Sequence, residues 1–118
     1  MQRDPRAWLW HVQEAADAIT EFTSGMSEDD YLADKLVRAA VERQFEVIGE
    51  ALNLLSRHAP ELAGQIPRLP AIIGFRNLLI HGYAVVDDRT VWHNVQENLP
   101  RLRATVDELL NKHGPPES

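Results

Sequence analysis

Phe75-Arg76-Asn77-Leu78-Leu79-Ile80-His81-Gly82-Tyr83 is the stretch around which the rest of the chain is read. It places an arginine, an amide, a histidine and a phenol around Leu78-Leu79-Ile80, a trio with every reason to be buried. Apolar residues at 72, 75, 79 and 80 recur at helical spacing, so a helix runs through Arg76. Gly82 is expected to end it by taking a left-handed backbone. His81 is then the last helical residue, and Tyr83 stands just beyond. Arg76 and His81 are separated by about 140° around an ideal helix. They converge only if the helix stops near His81 or if a second copy of the chain supplies one of them.

The same periodicity marks other helices. Trp8, Leu9, Val12, Ala15, Ala16, Ile19 and Phe22 form an amphipathic stripe, with Pro5 suited to its first turn and Gly25 to its end. Ser27, followed by Glu28-Asp29-Asp30, offers an N-cap and negative charge for the next start. A long stripe from Leu36 through Val41, Phe45, Ile48, Leu52 and Leu55 runs to about Arg57, and Ala59-Pro60 stops it. Residues 60–70 contain three prolines and a glycine and read as a loop with at most a turn of helix. The motif helix starts near Ala71. Residues 84–88 read as a short extended connection, since a lone strand would have nothing to pair with. Asp88 is expected to cap a helix carrying Val91, Trp92 and Val95. Pro100 either kinks that helix or begins a new one holding Leu102, Val106, Leu109 and Leu110. The expected fold is all-α, an antiparallel bundle of four to five helices. It spans residues 1–113 as a single domain, with a frayed tail at 114–118.

Composition narrows the class. At 118 residues the chain is one domain and buries about 65% of its unfolded surface. It has no cysteine, which excludes disulfides and thiolate metal sites. Its apolar runs are too short for a transmembrane helix. The start, Met1-Gln2-Arg3-Asp4-Pro5, leads into no apolar signal core, so a cytoplasmic protein without a membrane role is expected. The formal charge of −6 argues against a general nucleic-acid binder. Residues 67–103 hold five arginines against three carboxylates, or +2, which leaves −8 on the remainder. An RNA site fits the less acidic part.

Each polar residue of the motif has a bland role beside a chemical one. His81 at a helix end is favoured as a cation by the exposed carbonyls, and serves either as a cap or as a general base. Arg76 suits a phosphate because a guanidinium donates two parallel hydrogen bonds, but it also suits an ion pair with Glu50. The two uses are compatible, since a carboxylate can orient the arginine. Asn77 either braces Arg76, holds an RNA backbone, or is a surface amide. His58 and His93 have no ligand partner four residues away, and neither a His-Glu-x-x-His pattern nor a glycine-rich phosphate loop occurs. No metal and no cofactor are therefore expected. Trp8, Trp10 and Trp92 read as core or interface aromatics.

Arg76-x4-His81-x-Tyr83 resembles the Arg-x4-His-x-Tyr motif of the HepT-like toxins in the HEPN superfamily. Arg43-Gln44-Phe45-Glu46-Val47-Ile48-Gly49-Glu50-Ala51 is similar to the family's Ile-Gly-Glu-Ala helix, and Ile72–Asn77, Val91-Trp92 and Leu99-Pro100 also fit. The resemblance covers roughly Arg3 to Leu110. One departure is a missing tryptophan shortly before the motif helix, where this chain has Pro67-Arg68-Leu69-Pro70; it reads as a change of packing. The resemblance implies a HEPN bundle acting as the toxin of a type VII-like toxin–antitoxin pair. It implies a metal-independent endoribonuclease with Arg76 and His81 as catalytic residues, supported by Asn77 and Glu50. It also implies a homodimer, a nucleotidyltransferase antitoxin as partner, in a dimeric or larger complex, and Tyr83 as the residue to which that partner adds AMP. The alternative is a non-catalytic HEPN module that holds a nucleotide or a partner nucleotidyltransferase.

Overall fold

The computed structural model describes residues 4–114, with the side chain of Tyr83 outside the description. Seven α-helices occur among the described residues, and no strand. The first is α1 (Pro5–Phe22), capped by Asp4, whose carboxylate accepts from the Arg6 N–H. A turn through Gly25, held at φ +76°, leads to α2 (Glu28–Ala33). There Ser27 and Asp30 form a reciprocal capping box, satisfying donors that the first turn leaves free. Asp34 then caps α3 (Lys35–His58), the longest helix, at 24 residues. The short α4 (Pro60–Ala63) is the one turn of helix allowed for in that loop.

The motif helix, α5 (Leu69–His81), begins two residues earlier than the spacing predicts, because Pro70 fits inside a first turn. It ends at Gly82 as expected, but without the left-handed backbone. Gly82 has φ −112° and is not left-handed. A side chain there would instead stand 2.8 Å from Leu78 Cδ1 and 3.0 Å from the Leu78 carbonyl oxygen. The connection after it is a 3₁₀ turn over Tyr83–Val85, with only Val86 and Asp87 extended. Asp87 rather than Asp88 caps α6 (Asp88–His93), its carboxylate accepting from the Arg89 N–H at 3.0 Å. A π-helical turn, Asn94–Asn98, joins α6 to α7 (Leu99–His113). In it the Leu99 N–H donates to the Asn94 carbonyl. Pro100 has no N–H to give to the preceding turn, and the widened turn absorbs that loss.

The helices form an antiparallel bundle. Trp8, near the start of α1, stacks on His58 at the end of α3. Arg6 reaches the His113 carbonyl at the end of α7, and Arg103 pairs with Asp17 further along, so α1 and α7 also run in opposite directions. The core is one cluster in which Leu9, Val12 and Ile19 of α1 meet Val41, Ile48, Leu52 and Leu55 of α3, with Val91 and Val106 closing it. Each such side chain contributes about 1.5–3 kcal/mol by leaving water. Tyr31 of α2 is fully enclosed against Trp92 of α6, and burial pushes its phenol above the ordinary value. Trp8 is buried, whereas Trp10 is 40% exposed. No described helix is long and apolar enough to cross a membrane.

Helix α5 is the exception to the amphipathic rule. It is apolar on nearly all sides, yet Leu79 is its only buried residue. Leu78 and Ile80 stay exposed, as does Val85 just after it.

Candidate functional site

Arg76 lies in the middle of α5, where it crosses α3 at Gly49. The crossing is close because Gly49 has no side chain. A Cβ on Gly49 would fall 2.1 Å from Arg76 Cβ and 2.5 Å from Cγ. The stem of Arg76 therefore lies on bare α3 backbone, which fixes where its guanidinium emerges. One terminal nitrogen donates to Glu50 Oε2 at 2.6 Å, and the other to Asn77 Oδ1 at 2.8 Å. The Nε–H is buried and has no acceptor among the described residues. The ion pair is half in solvent, with side-chain exposures of 23% and 48%, so it adds only about 0.2–1 kcal/mol to stability. Its consequence is geometric. Glu50 and Asn77 hold a permanently charged, planar donor group at the surface instead of letting it sweep.

Arg76 and Glu50 face a cleft of about 320 Å³ between α1, α3 and α5, which Asn77 does not line. His11 of α1, Arg43 and Glu46 of α3, and Ile80 of α5 line it with them. Two guanidinium groups and two carboxylates thus share one open depression with an imidazole.

His81 is elsewhere on α5. It is the last helical residue, exposed, with no hydrogen bond or ion pair among the described residues. It does not line the cleft, although Ile80 does. Because α5 is unbroken from Arg76 to His81, the angular separation expected from the spacing persists. The structure joins Arg76, Asn77 and Glu50, and does not bring His81 to them. The backbone of Tyr83 opens the 3₁₀ turn directly after Gly82, and the placement of its hydroxyl lies outside the described residues. No three His, Cys, Asp or Glu side chains among the described residues come together as metal ligands.

Sequence reasoning gave roles to Arg76 and Glu50 but none to Gly49, His11 and Arg43. Gly49 carried a usable signal. A glycine inside a long helix costs about 1 kcal/mol relative to alanine, so it marks a close approach. Arg43, Glu46 and Glu50 recur at helical steps beside the apolar stripe of α3, which places them on one edge. Nothing in the spacing of His11 points to Arg76, because the two lie on separate helices that tertiary packing brings to one cleft.

Residues 12–109 match the model of the family described as Ribonuclease HepT-like. Among curated proteins, the chain is 35% identical over 109 residues to the "Probable ribonuclease HepT" of Thermococcus cleftensis, covering 92% of this chain and 98% of that protein. It is 32% identical over 108 residues to the "Putative RNase MJ1380" of Methanocaldococcus jannaschii, covering 90% and 96%. It is also 32% identical over 110 residues to the "Putative RNase TTE0752" of Caldanaerobacter subterraneus, covering 93% and 97%. No solved structure matches the chain.

Proposed function

Since the chain belongs to the HepT-like ribonuclease family, we propose that it is a metal-independent endoribonuclease, the toxin of a type VII-like pair. The observation that carries this is Arg76, held at a cleft by Glu50 and Asn77 on the helix that ends in His81. In the proposed reaction His81 removes the proton from a ribose 2′-hydroxyl. The 2′-oxygen attacks the adjacent phosphorus, the bond to the 5′-oxygen breaks, and that oxygen leaves with a proton from protonated His81 or water. The products are a 2′,3′-cyclic phosphate and a 5′-hydroxyl. Arg76 stabilises charge on the phosphoryl oxygens, and Asn77 and Glu50 orient it. RNA is the substrate class because DNA lacks the 2′-hydroxyl. Cleavage of RNA by the purified protein in excess chelator tests the proposal, and its absence would overturn it.

The proposed assembly is a homodimer in which residues 1–113 of each chain form one HEPN unit. Two observations support it. Arg76 and His81 point to different sides of one α5, and α5 keeps Leu78 and Ile80 exposed. A two-fold pairing through α5 covers that surface and sets His81 of one copy near Arg76 of the other. Light scattering at micromolar concentration should give twice the mass of one chain. A monomeric mass would remove the shared site.

The proposed antitoxin is a nucleotidyltransferase that transfers AMP to Tyr83, either within a dimeric complex or in a larger one. The added phosphodiester would compete with substrate phosphate for Arg76. Co-expression with a nucleotidyltransferase encoded beside this chain should add AMP mass increments to wild type and none to Tyr83→Phe. Increments that persist in Tyr83→Phe would place the modification on another residue.

A second reading, a non-catalytic module that holds a nucleotide or a transferase, draws on the formal charge of −6 and on Glu50 already neutralising Arg76. It predicts binding without cleavage.

A further inference from the structure

Three irregularities of the chain converge on one cavity that shares no lining residue with the cleft of Arg76. The cavity holds about 300 Å³ between α3, α5 and α7, at the small end of ligand pockets. Its walls are apolar. Phe45 and Phe75 meet edge to face at 5.3 Å, and Ile48, Ile72, Leu99 and Leu102 complete the lining.

The first irregularity is Arg68, which opens α5 with φ +62° and is the one non-glycine residue at positive φ among those described. Such a conformation strains any residue but glycine and persists where the surroundings impose it. The second is the π turn at Asn94–Asn98, a rare element that re-aims side chains. Within it Asn98 donates to the Asn94 side-chain oxygen, and both amides line the cavity. The third is charge. In a chain with 18 acidic residues against 12 Lys and Arg, this cavity is lined by Arg68 and Arg101 and by no carboxylate. Neither guanidinium has an ion-pair partner among the described residues, although four of the other arginines that pair do so at 3.5 Å or less.

We propose that this cavity binds a small organic anion with an apolar body. The body lies against Phe45, Phe75 and Leu102, and Arg68 and Arg101 hold its carboxylate or phosphate at the mouth. The site is independent of the ribonuclease reading and stands or falls separately from it. A charge-assisted contact to a guanidinium, desolvated on one side by apolar walls, discriminates an anion from a neutral analogue of the same length.

Calorimetry on the full chain tests this with decanoate, decyl phosphate and decanol. Either anion should bind at one site per chain, about tenfold or more tighter than decanol, the difference expected from one hydrogen bond to a charged group. Arg101→Gln should weaken anion binding by about the same factor. Arg68→Gly is the sharper variant. Glycine takes the left-handed backbone without cost, so the thermal midpoint should hold or rise while anion affinity falls. RNA cleavage should be unchanged in both variants. Ala71→Phe, at the rim, should abolish binding. Equal binding of decanol and the anions, or unchanged affinity in both arginine variants, would overturn the proposal. So would an absence of anion binding; a change in oligomeric mass for Ala71→Phe alongside it would assign the cavity to contact between copies.

Discussion

RNA cleavage should fall by about 10²–10³-fold in Arg76→Ala, the loss found when one preorganised donor to a developing oxyanion is removed. It should fall by about 10²–10⁴-fold in His81→Ala, the range for a general base. Growth arrest on expression of the chain alone should be relieved by both. The structure separates these losses from unfolding. His81 is exposed and unpartnered among the described residues, so its removal should move stability by no more than about 0.5 kcal/mol. Arg76→Ala keeps the Cβ that rests on Gly49 and gives up a half-exposed ion pair. Helical circular dichroism and the thermal midpoint are therefore the controls. If both variants cleave as fast as wild type, the proposed roles are wrong. If both lose activity together with their helical signal, the loss is one of folding. Mixing the two variants adds a stronger check. In a dimer with shared sites, a hybrid carries one site with both residues intact, so part of the activity should return.

Gly49→Ala is expected to damage both stability and cleavage. The new methyl would meet Arg76 Cβ at 2.1 Å, and neither α3 nor α5 can yield locally, because both atoms sit next to helix backbone. The helices must separate, at a cost of about 1–3 kcal/mol, a midpoint drop of several degrees for a domain of this size. The guanidinium of Arg76 moves with α5. A displacement near 1 Å at a positioning group costs on the order of 10²-fold in rate. Gly74→Ala provides the contrast on the same helix. A Cβ there meets nothing within 4 Å, so the change should stabilise the chain by about 0.5–1 kcal/mol. Equal midpoint shifts for the two substitutions would contradict the close approach at Gly49.

Much of this was legible in the residues, for definite physical reasons. The stripes of α1 and α3 are long and strictly periodic, and the caps at Ser27 and the breaks at Gly25 and Pro60 use side chains with a single strong preference. The all-α bundle follows from them. The pairing of Arg76 with Glu50 was foreseeable as chemistry, though not as geometry. Spacing does not say that Gly49 lets the two helices touch. The misplacements fell where the chain is least periodic. Position 82 has no room for a side chain beside Leu78, a fact of packing that the spacing does not carry. Asp87 and Asp88 are chemically equivalent caps, and only the turn at Tyr83–Val85 decides between them. The π turn before Pro100 has no sequence signature beyond the proline it accommodates. His11 reached the cleft through tertiary packing alone.

The most direct test is the chemistry of the cut ends. An RNA oligonucleotide with one mapped cleavage position is incubated with purified wild-type protein in excess chelator, and the products are weighed by mass spectrometry. The proposed mechanism predicts a 2′,3′-cyclic phosphate on one fragment and a 5′-hydroxyl on the other. It also predicts that a single 2′-deoxy nucleotide on the 5′ side of the cut abolishes cleavage there. A 3′-hydroxyl with a 5′-phosphate, dependence on added metal, or cutting past the deoxy substitution would contradict it.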